Sequence, residues 1–484
     1  MQGISDDALA ESVLRWWRLG KNENANALAA TLDDHEYGQL LHRLASYRDL
    51  DDAWHFIFAL VEARPAFLDE AMKALHAWTD DARLMPRHWW SEIQAGRFHE
   101  MHQLVRQLIV NDDEADVLRQ RGAGQSLGGL TGLGLEVADE DLETLLALPY
   151  LSNLEVLHVR NVGPDPRALC TATLPAKTLV LQGGSPRPEI LADLWTGPSF
   201  PALEELTFAS LRHPIPHRRT FPEQLWENVL PVEEIAAALR GRSLARDPFY
   251  LEFKGLGIDE DAIRALAAEP AFHQLRGISL IFSPITAAQI ALLEHAPLKW
   301  ERLRLHLGKI EAEGAAILAR APWVTTLRDL ELSSQSMGDE AAAGLLRRLA
   351  PERIALRHNQ LGSRSARALA SADLAELEHL DLSHNPLSDE DLAAVLRNPT
   401  LKKLVRFEAL GTRFGAAAAE ALVAGSFSTL EAINAGDDLP NEAAAALLGG
   451  TFPKLARLQL VGVSNETIER LRDAGLPAIN ARFA

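Results

Sequence analysis

Cysteine is almost absent from this chain: Cys170 stands alone among 484 residues. No disulfide framework can form within it, which suits a reducing compartment. Basic residues are the second shortage. Lys and Arg number 48 against 67 Asp and Glu, a formal charge of −19. That balance argues against non-specific nucleic-acid binding, which needs cationic density along the phosphates. Long apolar runs are missing too. No run of about 18 apolar residues occurs, so no membrane span is predicted. The acidic start Met1-Gln-Gly-Ile-Ser-Asp-Asp-Ala8 has no secretory apolar core, and the expected location is the cytoplasm.

Catalytic and cofactor signatures are equally sparse. There is no phosphate loop of the G-x-x-x-x-G-K-[ST] kind and no G-x-S-x-G nucleophile turn. The glycines of Arg121–Gly129 lack the Lys-Ser/Thr that would follow, so they read as a junction. His99-Glu-Met-His102 spaces its imidazoles i, i+3, whereas the helical zinc signature needs i, i+4. Cys170 lies on an apolar helix face and reads as core. The expectation is a non-enzyme with no cofactor and no metal.

What is present is a repeat. Leu377-Glu-His-Leu-Asp-Leu-Ser-His-Asn-Pro-Leu387 reads L-x-x-L-x-L-x-x-N-x-L. A polar start and apolar residues at helical spacing follow, over 388–397. The central apolar residue of each such unit recurs at Leu133, Leu157, Leu179, Leu206, Leu251, Ile278, Leu303, Leu330, Ile354, Leu380, Phe407, Ile433 and Leu458. Most steps are 22–27 residues, and the step from Leu206 to Leu251 is 45. A final half-unit, Leu476–Ala481, predicts a closing strand. Thr286 with Gln289 fits a capping box at one helix start. Each unit therefore predicts strand, turn, helix and return, with neighbours burying one another's apolar faces.

The pattern over about 127–484 resembles the leucine-rich repeats, and its Ala-rich second halves resemble the ribonuclease-inhibitor-like class. The consensus Asn stands only at Asn359 and Asn385; Gly308, Thr412 and Val463 occupy other equivalent sites. The resemblance implies an α/β solenoid of about 13 repeats, with parallel strands on a concave face and helices on the convex one. It also implies protein binding on the concave face, as an inhibitor, immunity or recognition subunit. The alternative is an enzyme regulator, such as a GTPase activator working through the repeat rim.

Residues 1–121 lack the consensus and predict an all-α domain, with helices at 5–19, 23–31, 34–47, 51–62, 66–79, 86–95, 97–110 and 112–120, serving as a cap or second interaction module. Six of the ten tryptophans fall there. The adjacent pairs Trp16-Trp17 and Trp89-Trp90 stand out, because neighbours on a helix point about 100° apart and need packing on two sides.

Two candidate contact surfaces follow. Residues flanking each buried strand position face the open side, which collects His158, Arg160, Tyr250, Arg302, Arg304, His306, Asp329, Glu331, Arg353, Arg357, His379, Asp381, Arg406, Glu408 and Arg457. The long step marks an insertion at about 210–247, whose His213, His217, Arg218, Arg219, Phe221 and Trp226 make a basic, aromatic patch. The expected partner is a protein, basic in character if the overall charge steers it, with no nucleic acid and no membrane. The oligomeric state is left open.

Overall fold

The computed structural model describes residues 21–45, 51–75, 83–163, 165–184, 186–209, 232–244, 247–425, 427–436 and 439–480. The chain forms two compact units. The first is Met1–Pro186 with Gly197–Leu203; the second is Arg187–Thr196 with Glu204–Ala484. The division thus falls among the repeats rather than at 121/122.

In the first unit, helices Lys21–Thr31, Asp34–Ala45, Asp51–Ala63, Leu68–Ala74 and Arg87–Gln94 precede strands β1 (Gln107–Asn111), β2 (Gly132–Glu136), β3 (Val156–Val162) and β4 (Thr178–Gly184). The expected helix over 97–110 is corrected. A short 3₁₀ turn at Glu100–Leu104 leads into β1, which pairs in parallel with β2, Leu108 opposite Leu133. The alternation of Leu108 and Val110 inside with Ile109 outside is a strand period. The all-helical reading of 1–121 therefore fails at this strand. Arg121–Gly129, read as a junction, contains the short helix Ala123–Leu127 with Ser126 buried.

Trp89 and Trp90 are satisfied on two sides. Trp89 is buried and stacks on Phe58 at 4.2 Å, and its indole N–H donates to Glu62. Trp90 donates to Glu114 at 2.7 Å. Trp16 and Trp17 lie outside the described residues. His102 is buried beside Trp89 and Ser126, with ring centroids 5.1 Å apart and Nδ1 3.1 Å from the hydroxyl. His99 approaches it edge-on at 5.4 Å. Burial, then the nearby His99 and His88, push the His102 imidazole down to about 4.

The second unit carries β5 (Glu205–Ala209), β6 (Tyr250–Lys254), β7 (Gly277–Ile281), β8 (Arg302–His306), β9 (Asp329–Ser333), β10 (Arg353–Ala355), β11 (His379–Asp381), β12 (Arg406–Ala409), β13 (Ala432–Ala435), β14 (Arg457–Leu460) and β15 (Ala478–Asn480). All pair in parallel in sequence order. The predicted markers sit opposite one another without slippage: Leu206 with Leu251, Ile278 with Leu303, Leu330 with Ile354, Leu380 with Phe407, Ile433 with Leu458. Each marker is at most 2% exposed, so a one-residue slip would bring charged neighbours such as Glu205, Arg302 and Asp329 into the core. The Thr286–Gln289 capping box forms as expected.

Two hydrogen-bonded devices tie successive repeats. Asn385 donates to Leu356 O (2.8 Å), Leu382 O (2.9 Å) and Ser383 O (3.1 Å), and accepts from the N–H groups of Asn359 and Leu361. Asn359 does the same one repeat earlier, accepting from Gln335 N–H at 3.0 Å. The second device uses acid. Asp389, in the first turn of its own helix, accepts from Gly415, Ala417 and Ala418 N–H at 2.8–2.9 Å, at the start of the next helix. These are donors that a helix leaves unsatisfied at its first turn. A Cβ at position 415 would stand 2.6 Å from the Asp389 carboxylate, so a larger residue there would have to displace that carboxylate from its donors. Asp339 repeats the arrangement with Gly362, Arg364 and Ser365. Burial pushes the Asp339 carboxyl up, but these donors outweigh it and hold the group below the usual range.

Two outcomes follow. Asn385→Ala should cost about 2–3 kcal/mol in urea unfolding and speed amide exchange at Asn359 and Leu361, while exchange in β5–β7 stays unchanged. For His102, the folded unit binds fewer protons than the unfolded chain between pH 6.5 and about 4. Its stability contribution is complete above 6.5 and falls by at most roughly 3 kcal/mol as pH drops to about 4. A pH series of denaturant midpoints for wild type and His102→Asn checks this, the variant showing the flatter profile.

Candidate functional site

The alternation of the strands decides what the open sheet face displays. In β8 the pattern is half-buried Arg302, buried Leu303, half-buried Arg304, buried Leu305, half-buried His306. The same parity places Asp329 and Glu331 on β9 and Arg353 on β10, each one strand spacing apart. Among the described residues of β5–β14 and the residues that close those strands, this face carries Lys254 and six arginines, at 302, 304, 353, 357, 406 and 457. Against them stand six carboxylates, at 205, 252, 329, 331, 381 and 408. The face is close to neutral, so the charge of −19 resides elsewhere.

Asp329 is the centre of this surface. Arg304 Nε donates to its carboxylate at 3.0 Å, and Arg302 Nε and Arg353 Nε lie 3.7 and 3.4 Å from it. Arg353 also reaches Glu331 at 3.5 Å. Arg302 spans three strands. Its guanidinium lies 3.9 Å from the Tyr250 ring centroid and pairs with Glu205 at 2.6 Å. That crossing passes Gly277, where a Cβ would come within 2.6 Å of the Arg302 Cβ. Burial, with Glu252 beside it, holds the Glu205 carboxyl above its ordinary range despite Arg302. Burial disfavours the Arg304 cation, but the hydrogen bond to Asp329 and the adjacent carboxylates raise it above the usual guanidinium value.

A second feature runs along the ends of the strands. The residue four places after the buried marker is left-handed in repeat after repeat: Phe282, Leu307, Ser334, His358 and His384 all have φ of 52–60°. Glycine takes this conformation without strain, and bulky side chains there are uncommon. Three of them carry rings that make contacts. His358 and His384 stack at 4.3 Å with planes 2° apart, and Phe282 meets His306 at 5.0 Å. Burial lowers the His306 and His358 imidazoles, the latter helped by His384 and Arg357. Burial, then Arg406 and Arg353, lowers that of His379.

Most of the residues anticipated from the sequence converge on the second unit's face. Arg357 pairs with Asp381 at 3.2 Å, and Arg406 is exposed. His158 and Arg160 belong instead to the first unit, where Arg160 lies 3.9 Å from Glu136. His213, His217, Arg218, Arg219, Phe221 and Trp226 lie outside the described residues. Cys170 is half-buried rather than core. Glu205 escaped the sequence reading, although the rule that found Arg302 also selects the residue before Leu206. Among the described residues no group of three or more metal-ligating side chains is assembled, and no helix is long and apolar enough to cross a membrane.

Buried leucine-type markers paired strand to strand, an outer helix in each turn and an asparagine ladder define the architecture. The fold is that of a leucine-rich-repeat solenoid. No protein-family model matches the chain, and no curated protein matches it. Similar solved structures include Rad7 in its complex with Elc1 from yeast, with 14% identity, TM-score 0.42, and coverage of 99% of this chain and 91% of that one. An internalin from Listeria monocytogenes has 17% identity and TM-score 0.30, covering 67% and 95%. TLR13 in complex with ssRNA13 has 13% identity and TM-score 0.31, covering 74% and 59%.

Because three arginines share one half-buried carboxylate, Asp329→Asn should leave them partly uncompensated. The expected loss is about 1–3 kcal/mol in urea unfolding. A double-mutant cycle of Asp329→Ala with Arg304→Ala should give a coupling of about 1 kcal/mol or more; additive effects would remove Asp329 from its central role.

Proposed function

We propose that this leucine-rich-repeat protein is a non-catalytic interaction scaffold whose second unit receives a protein partner on the open sheet face. The single supporting observation is the charge lattice around Asp329. Its cations and carboxylates are held in place by one another yet remain partly exposed. Charges placed this way lose little freedom on binding, and they set specificity and encounter rate more than affinity. The near neutrality of the face asks for a partner surface of mixed charge; a basic partner would be drawn by the acidic remainder of the molecule. Outer helices of 8–10 residues, at Asp339–Leu346, Ser363–Ser371, Asp389–Leu396 and Ala416–Gly425, support the ribonuclease-inhibitor-like class. A reducing, cytoplasmic setting fits the single cysteine.

The test is affinity capture from native lysate with wild type, Arg304→Glu/Arg353→Glu, and the exposed-site variant Arg406→Glu, with folding checked by circular dichroism. The partner should be lost in the double variant and weakened in Arg406→Glu. Wild-type capture should decline between about 50 and 300 mM salt, where the Debye length shortens from roughly 14 to 6 Å. A partner retained by both variants would contradict the proposal.

A further inference from the structure

The open face of the first unit has a different chemistry. Leu84 and Ile109, 52% and 49% exposed, are the exposed large hydrophobic side chains among the described residues. They are neighbours. Leu84 bridges in parallel to Gln107, and Ile109 lies two residues further along β1 on the same face, because Leu108 and Val110 point inward. The same two rows continue across β2–β4 as Gly132 and Gly134, then Val156 and His158, then Thr178 and Val180. Neither row contains Asp, Glu, Lys or Arg. Gly134 leaves room for Ile109, since a Cβ there would meet it at 3.1 Å, and the uncharged Gln107 amide lies over Gly132. Ion pairs flank the strip on both sides: Lys177–Glu155 at 3.0 Å and Arg160–Glu136 at 3.9 Å. An uncharged centre between charged rims is the anatomy of a protein interface.

We propose that this strip is a second docking site and that its occupant is the aliphatic stripe of an α-helix on a partner protein. The dimensions match. Four strands at about 4.8 Å give a strip roughly 15–19 Å long, the length of about ten to twelve helical residues. A β-strand occupant at the β1 edge is disfavoured, because Met85 N–H already donates to Gln107 O at 3.0 Å and Arg106 N–H to Arg83 O at 2.9 Å. A strongly charged occupant would find no counter-charge along the strip.

The test uses the full chain and two fluorescein-labelled synthetic peptides of equal composition. One places leucines at helical i, i+3, i+4, i+7 spacing, and the other alternates them. Anisotropy titrations should show the striped helix binding at least ~10-fold tighter than the alternating peptide, about 1.4 kcal/mol. Ile109→Glu, an exposed position, should abolish that preference, and Arg304→Glu/Arg353→Glu on the second unit should leave it intact. Equal binding of the two peptides, binding of neither, or no effect of Ile109→Glu would overturn the proposal. So would a wild-type dimer in sedimentation that Ile109→Glu dissolves, which would make a second copy the occupant.

Discussion

A column of buried apolar side chains, one from each parallel strand, is the constraint on which the other features of each unit depend. In the second unit it runs from Leu206 to Leu458 with each marker opposite the next. Because side chains alternate along a strand, burying this column commits the residues on either side of it to the open face. The lattice around Asp329 is a consequence of that commitment. So is the left-handed residue that ends many of the strands, where the chain turns away toward its helix.

The strands read easily because leucine-type spacing is a short-range signal repeated many times, and each repeat supports the next. The capping box at Thr286 was visible for the same reason: its partners lie three residues apart. Three features were not legible. β1 follows a helical region and carries the repeat spacing as Val105-x-x-Leu108-x-Val110, with valine at two of its three apolar positions, so Val105–Val110 passed for a helix, and the exposure of Ile109 passed with it. The Arg302–Glu205 pair joins residues 97 apart across the glycine of an intervening strand, and local pattern cannot report such a crossing. The Asp389-to-Gly415 device was hidden because an acid in the first turn of a helix already has a local explanation; its service to the following helix shows only when the repeats are stacked.

Electrostatics separates the two units' faces. The second unit pins charges of both signs side by side, so its open face adds almost nothing to the net charge. The first unit omits charge from two rows across four strands and confines it to the flanks. A chain this acidic repels most acidic surfaces at long range. On our proposal both faces are contact surfaces, one for a patterned polar partner surface and the other for an apolar one.

Site-specific photo-cross-linking would test the central claim most directly. A benzophenone side chain placed at Arg406 on the second unit's open face, and separately at the exposed Glu390 on the helix side, would be irradiated in native lysate. The account predicts a discrete protein adduct from position 406 and none from position 390. A discrete adduct from 390 alone would contradict it, moving the binding surface to the helices.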